Sequence, residues 1–183
     1  MSSVVISGDT SGAITLSAPA VAGTNTITLP AATGTVQVSG NMPAFSASLS
    51  VAQTVTPSTA TKVAFNTEQF DTASAYDNAT NYRFTPLVAG YYQVNSMVNC
   101  ISSSADNLAF ASLYKNGSIY LASSSGIIYF SSGAVTQFTA TVTMLVYMNG
   151  STDYLEIYAY NAGASGTQFN QGSTFSACLV RSA

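Results

Sequence analysis

Phe84-Thr85-Pro86-Leu87-Val88-Ala89-Gly90-Tyr91-Tyr92-Gln93-Val94-Asn95-Ser96-Met97-Val98-Asn99-Cys100-Ile101 is the stretch whose reading decides the fold. Within residues 91–101, Tyr92, Val94, Val98 and Cys100 fall on one side of a two-residue period, the pattern of a strand buried on one face. Gly90 stands directly before that strand, where the lack of a Cβ permits a close backbone approach. Phe84 and Tyr92 are large enough to fill the space between two sheets, and Phe175 offers a third ring near the end of the chain.

The same period continues on both sides. Upstream, Phe45, Ala47, Leu49 and Val51 alternate after Pro43. Downstream, residues 107–114 run into Lys115-Asn116-Gly117, and an Asn-Gly pair ahead of a partner strand with Ile119 and Leu121 predicts a hairpin. Residues 135–148 form the longest run, with Phe138, Val142, Met144 and Val146 facing one way. A second Asn-Gly turn, Asn149-Gly150, leads into residues 154–160. Residues 161–172 read as a loop and 173–181 as a final strand. No ten-residue stretch has helical periodicity, so the sequence predicts an all-β sandwich, jelly roll or barrel.

Charge narrows the function. Only 6% of residues are charged, against about 25% in typical domains. The cations are Lys62, Arg83, Lys115 and Arg181; the anions are Asp9, Glu68, Asp71, Asp77, Asp106, Asp153 and Glu156. A net charge of −3 without a basic cluster argues against nucleic acid as a partner. No apolar run approaches the ~20 residues of a membrane helix, so membrane insertion is not expected.

Catalysis is not expected either. Without histidine there is no Ser-His-Asp triad, no Cys-His pair and no imidazole-bound metal. Asp153 and Glu156, three apart at a strand start, should point to opposite faces. Asp71, Asp77, Asn78 and Asn81 could gather around a calcium ion or simply form a solvated loop. Neither cofactor nor metal is expected. Cys100 and Cys178 have no metal-site spacing and read as small buried hydrophobes or as a pair. The sequons at Asn78, Asn116 and Asn149 are what chance supplies in a Ser/Thr-rich chain.

Residues 1–42 read as an arm apart from the domain at 43–183. Residues 1–40 contain no aromatic and one charge, Asp9. Three short alternating pieces, Ala13-Ile14-Thr15-Leu16, Thr26-Ile27-Thr28-Leu29 and Thr35-Val36-Gln37-Val38, read as strands too short to bury an apolar face alone. They need a partner: another copy of the chain or a neighbouring protein. Asn41-Met42-Pro43 looks like the junction. The opening residues lack the positive and apolar regions of a secretory signal.

One constellation resembles a known family. Five residues separate Phe65 from Asp71, four separate Asp71 from Tyr76, and five separate Phe84 from Gly90, followed by Tyr92 and Val94. This is similar to the signature of the C1q-like globular head, an aromatic-rich jelly roll related to the tumour-necrosis-factor fold. Leu113-Tyr114-Lys115-Asn116-Gly117, residues 142–157, residues 173–179 and Pro43-Ala44-Phe45-Ser46-Ala47 resemble further family pieces in the family's order. The chain departs by one extra residue between Tyr76 and Phe84, by Val94 and Ser96 in place of aromatics, and by Ala177 in place of Gly. The resemblance implies a C1q/TNF-like jelly-roll sandwich with Phe65, Phe84, Gly90, Tyr92 and Phe175 as structural core, associating as a homotrimer.

Residues 1–40 in turn resemble low-charge segments of bacteriophage tail fibres and related appendages, and no Gly-X-Y stalk is present. Together the resemblances imply a non-enzymatic virion protein, made in the host cytoplasm. It would be a trimeric fibre or appendage whose arm, residues 1–42, holds other virion proteins while the head meets a host surface glycan or protein. The alternative is a capsid decoration (cement) protein. Candidate recognition loops are 102–106, 123–126 and 161–172. In the last of these, Gln168, Phe169, Asn170 and Gln171 could stack on a sugar ring and bond its hydroxyls, or Phe169 could tuck into the trimer seam.

Overall fold

A computed structural model describes residues 3–28, 31, 33–102, 107–120, 126–130, 136–162 and 166–183. The chain divides into two compact units, Met1–Gly34 and Thr35–Ala183.

The first unit holds one antiparallel hairpin, β1 (Ser3–Ser7) with β2 (Ala13–Ser17), in which Val4 faces Leu16 and Ile6 faces Ile14. Gly8 N–H donates to Gly12 C=O at 3.0 Å, and Gly12 adopts φ +79, which places Asp9 in the turn. The sequence does not announce β1, because Val4-Val5-Ile6 is a continuous apolar run. Residues 26–28 and 35–38, expected as strands, form none. Each carries the alternation, but among the described residues no neighbouring strand offers it a ladder, and a strand needs one. Leu29 lies outside the described residues.

The second unit begins with a short 3₁₀ turn, Ser39–Asn41. Asn41 locks it by accepting Val38 N–H at 2.8 Å and donating to Val36 C=O at 3.1 Å. Among the described residues fourteen strands follow: β3 (Ala44–Ser48), β4 (Gln53–Thr54), β5 (Thr61–Lys62), β6 (Thr67–Asp71), β7 (Tyr76–Asp77), β8 (Arg83–Phe84), β9 (Gly90–Ser102), β10 (Asn107–Lys115), β11 (Ser118–Ile119), β12 (Gly126–Phe130), β13 (Thr136–Met148), β14 (Leu155–Asn161), β15 (Gln168–Phe169) and β16 (Thr174–Ser182). They form two antiparallel sheets. One runs β13-β9-β16-β3-β6, with β15 and β4 continuing beside the far end of β9. The other centres on β10 and β14, flanked by β11 and β12 on one side and by β5, β8 and β7 on the other. The head is an all-β jelly roll whose first strand, β3, lies beside its last, β16.

Alternation fills the space between the sheets. Tyr92, Val94, Val98 and Cys100 of β9 are fully buried, as are Leu113 of β10 and Leu155 and Ile157 of β14. The rings gather around Phe45, which stacks on Phe84 at 4.4 Å and on Tyr76 at 4.6 Å and meets Phe175 edge-on at 4.9 Å. Buried phenols find acceptors: Tyr76 donates to Phe65 C=O at 3.0 Å and Tyr92 to Val88 C=O at 2.8 Å.

Gly90 starts β9 because no side chain fits there. A Cβ would sit 2.3 Å from the Arg181 carbonyl oxygen and 2.9 Å from Ser182 Cα. The two Asn-Gly pairs do different work. Asn116 and Gly117 both take positive φ and close a two-residue hairpin between β10 and β11. Asn149-Gly150 instead carries the chain across the sandwich, from β13 in one sheet to β14 in the other. Three expectations shift: Val51 lies exposed beyond the end of β3, Met144 is only partly buried, and the 161–172 loop contains β15.

Candidate functional surfaces

The core candidates Phe65, Phe84, Gly90, Tyr92 and Phe175 all lie buried between the sheets. The recognition loop is different. Phe169 is fully buried, and β15 pairs with Cys100 of β9 on one side and Gln53 of β4 on the other. Asn170 N–H donates to Asn99 C=O at 2.7 Å, and Ser173 Oγ donates to Asn170 C=O at 2.7 Å. The expectation that Phe169 stacks on a sugar is therefore corrected: the core of one copy takes the ring, neither a ligand nor a trimer seam. Gln168 and Asn170 are half-buried and Gln171 is exposed. Of the other two candidate loops, residues 103–106 and 123–125 lie outside the described residues.

The carboxylates are occupied structurally. Asp153 pairs with Lys115 at 2.8 Å and accepts Asn116 Nδ2 at 2.8 Å and Asn149 N–H at 3.0 Å. Burial pushes its pKa up, but the Asn116 amide, the Lys115 ammonium and the Asn149 N–H outweigh burial and hold it below the ordinary carboxylate range. Glu156 pairs with Lys62 at 2.5 Å. The two carboxylates, both buried, sit each against its own lysine, and neither is placed to act as the other's acid or base.

The loop considered for calcium is held by its own backbone. Asp71 accepts the N–H groups of Ala73 and Tyr76. Asp77 accepts those of Thr80, Ala79 and Asn81 together with the Asn81 side-chain amide, and its pKa falls to about 2, led by the Thr80 and Ala79 bonds. These oxygens already serve N–H donors. Both cysteines are free: Cys100 is buried, which pushes its thiol up to about 12, and Cys178 is exposed on β16.

The outward faces of the two sheets differ in kind. Neither β9 nor β13 contains a charged residue. Their outer face carries Tyr91 against Tyr147 at 5.4 Å, exposed Met97 and Leu145, and a polar ladder in which Thr143 donates to Asn95 and Thr139 to Asn99, each at 2.8 Å. The other sheet turns outward half-buried rings that the sequence reading missed. Phe110 stacks on Tyr160 at 4.8 Å and Tyr114 on Tyr158 at 4.0 Å, while the Arg83 guanidinium lies 4.5 Å over Tyr154. A signal for them exists: Tyr154, Tyr158 and Tyr160 alternate with Leu155, Ile157 and Ala159.

Aromatic core, paired antiparallel sheets and adjacent terminal strands define the head as a jelly-roll sandwich. Its fold is similar to that of the C1q-like head. The globular domain of zebrafish complement 1qA protein is similar to it with a TM-score of 0.50 at 17% identity, over 77% of this chain and 98% of that one. The PRD1 vertex protein P5 aligns with a TM-score of 0.45 at 15% identity, over 76% and 97%. The chain matches no protein-family model and no curated protein. Among the described residues no helix is long and apolar enough to cross a membrane.

Proposed function

We propose that this chain is a non-enzymatic structural protein of a bacteriophage virion. It works as a homotrimer in a fibre or appendage, attached through residues 1–42, with the C1q-like head turned outward to a host surface. The observation that carries the reading is the uncharged outer face of β9 and β13, where Tyr91, Met97, Leu145 and Tyr147 are left exposed. An apolar patch of that kind on a small domain marks a protein interface. These two strands have no charge to arrange, the sheet's Glu68, Asp71 and Arg181 lying on β6 and β16, so identical β9–β13 faces can meet without repulsion. The virion location is supported by the resemblance of residues 1–40 to appendage segments and by an arm whose described aliphatic residues, Val4, Ile6, Ile14, Leu16, Val21 and Ile27 among them, are exposed. With Phe169 inside, host contact falls instead to exposed groups such as Gln171 and to the half-buried rings of the β10–β14 face.

Gold-labelled antibody against the head, imaged on intact particles, tests this. Label on tail fibres or other appendages is the expected result. Label spread over the capsid lattice would replace the appendage by a decoration protein, and unlabelled particles would overturn the virion reading. Deleting residues 1–42 should leave a folded trimeric head that no longer enters particles.

A further inference from the structure

The N-terminal hairpin is two-faced. Cross-strand partners share a face and so do residues two apart. The register Val4–Leu16 and Ile6–Ile14 therefore gathers four aliphatic side chains on one side. Ser3, Ser17, Ser7, Ala13, Thr15 and Val5 take the other. The aliphatic side is open, with Val4 61%, Ile6 55%, Ile14 67% and Leu16 60% exposed. Later residues of the arm do not fold over it, since Val21 and Ile27 are themselves about 90% exposed. An isolated two-stranded hairpin is marginal in water and needs its apolar face covered.

We infer that this face is covered by the same face of the other copies of the chain, so that three hairpins pack Val4, Ile6, Ile14 and Leu16 inward around a common axis. The inference rests on the trimeric reading above. A trimer of heads holds three arms close together in equal number. The face offers no charge for an unlike partner to complement, because the unit's one ionisable side chain, Asp9, sits in the turn between the strands. Twelve aliphatic side chains, four from each copy, would make a small core of their own. The serine and threonine face would remain toward water. The arm then acts as a second clamp on the trimer, separate from the head.

Cysteine cross-linking of the full chain tests the packing. In a Cys178→Ser background, which leaves only buried Cys100, Ile14→Cys should give disulfide-linked pairs under mild oxidation. Such pairs can take in at most two of every three chains around a threefold axis. Thr15→Cys, on the opposite face, should stay unlinked. Equal linking at the two positions, or none at Ile14 in a protein whose native mass is still three copies, would overturn the hairpin packing while leaving the trimer intact. A native mass of one copy would instead overturn the trimeric reading itself.

Discussion

Phe45 and Phe175 meet edge to face, with ring centroids 4.9 Å apart and planes at 85°. They come from the first and last strands of the head, where Ala47 registers with Phe175 and Phe45 with Ala177. One contact thus ties the two ends of the jelly roll through its core. Phe175→Ala should cost about 3–5 kcal/mol, a large part of the 5–15 kcal/mol that holds a typical domain. Urea unfolding followed by tyrosine fluorescence measures it. A loss under about 1 kcal/mol would mean that the ring is not where the core needs it.

Phe169→Ala should act on stability and not on adhesion. The ring is fully buried, so its removal leaves a cavity worth about 3–5 kcal/mol. Exposed Gln171→Ala should stay within about 0.5 kcal/mol of the parent. Melting temperature and host-cell adsorption, measured on both variants, separate the roles. Lost adsorption at an unchanged melting temperature in Phe169→Ala would contradict the burial.

Gly90→Ala should destabilise the head by about 1–3 kcal/mol, since the new methyl must push apart β9 and the Arg181–Ser182 backbone. Gly40→Ala, where nothing lies within 4 Å, should be close to neutral. Equal midpoints for the two variants in chemical denaturation would refute the close approach.

These positions also show what was legible beforehand. The strands of the head and the rings at Phe45, Phe84, Tyr92 and Phe175 could be read because each lies on a strand with one wet and one dry face. Phe169 could not, since β15 is two residues long and its neighbours Gln168 and Asn170 look like loop. The arm misled in the opposite way: residues 26–28 and 35–38 alternate correctly, but alternation specifies a face and not a partner. The outward tyrosines escaped because a two-residue period separates the faces of a strand without saying which face the rings take.

Stability should be nearly flat from pH 5 to 8, because the chain has no histidine to titrate there. Below that range it should fall. Asp77 and Asp153 have folded pKa values depressed below the unfolded one, so the stability they add is complete above about pH 4. It drains away as pH drops through the folded value, about 2 for Asp77. Asp153→Asn should remove its share at neutral pH by leaving Lys115 unpaired, costing about 3 kcal/mol. Thermal melts from pH 8 to pH 2 check the profile; a steep change between pH 6 and 7 would count against it.

The central claim is that the uncharged face of β9 and β13 joins three copies. Native mass spectrometry of the full chain at micromolar concentration tests it most directly, with Leu145→Glu as the companion variant. The expected result is three copies for the parent and a folded single copy for Leu145→Glu, in which a charge now occupies the face. A parent that flies as a stable, folded monomer would contradict the account.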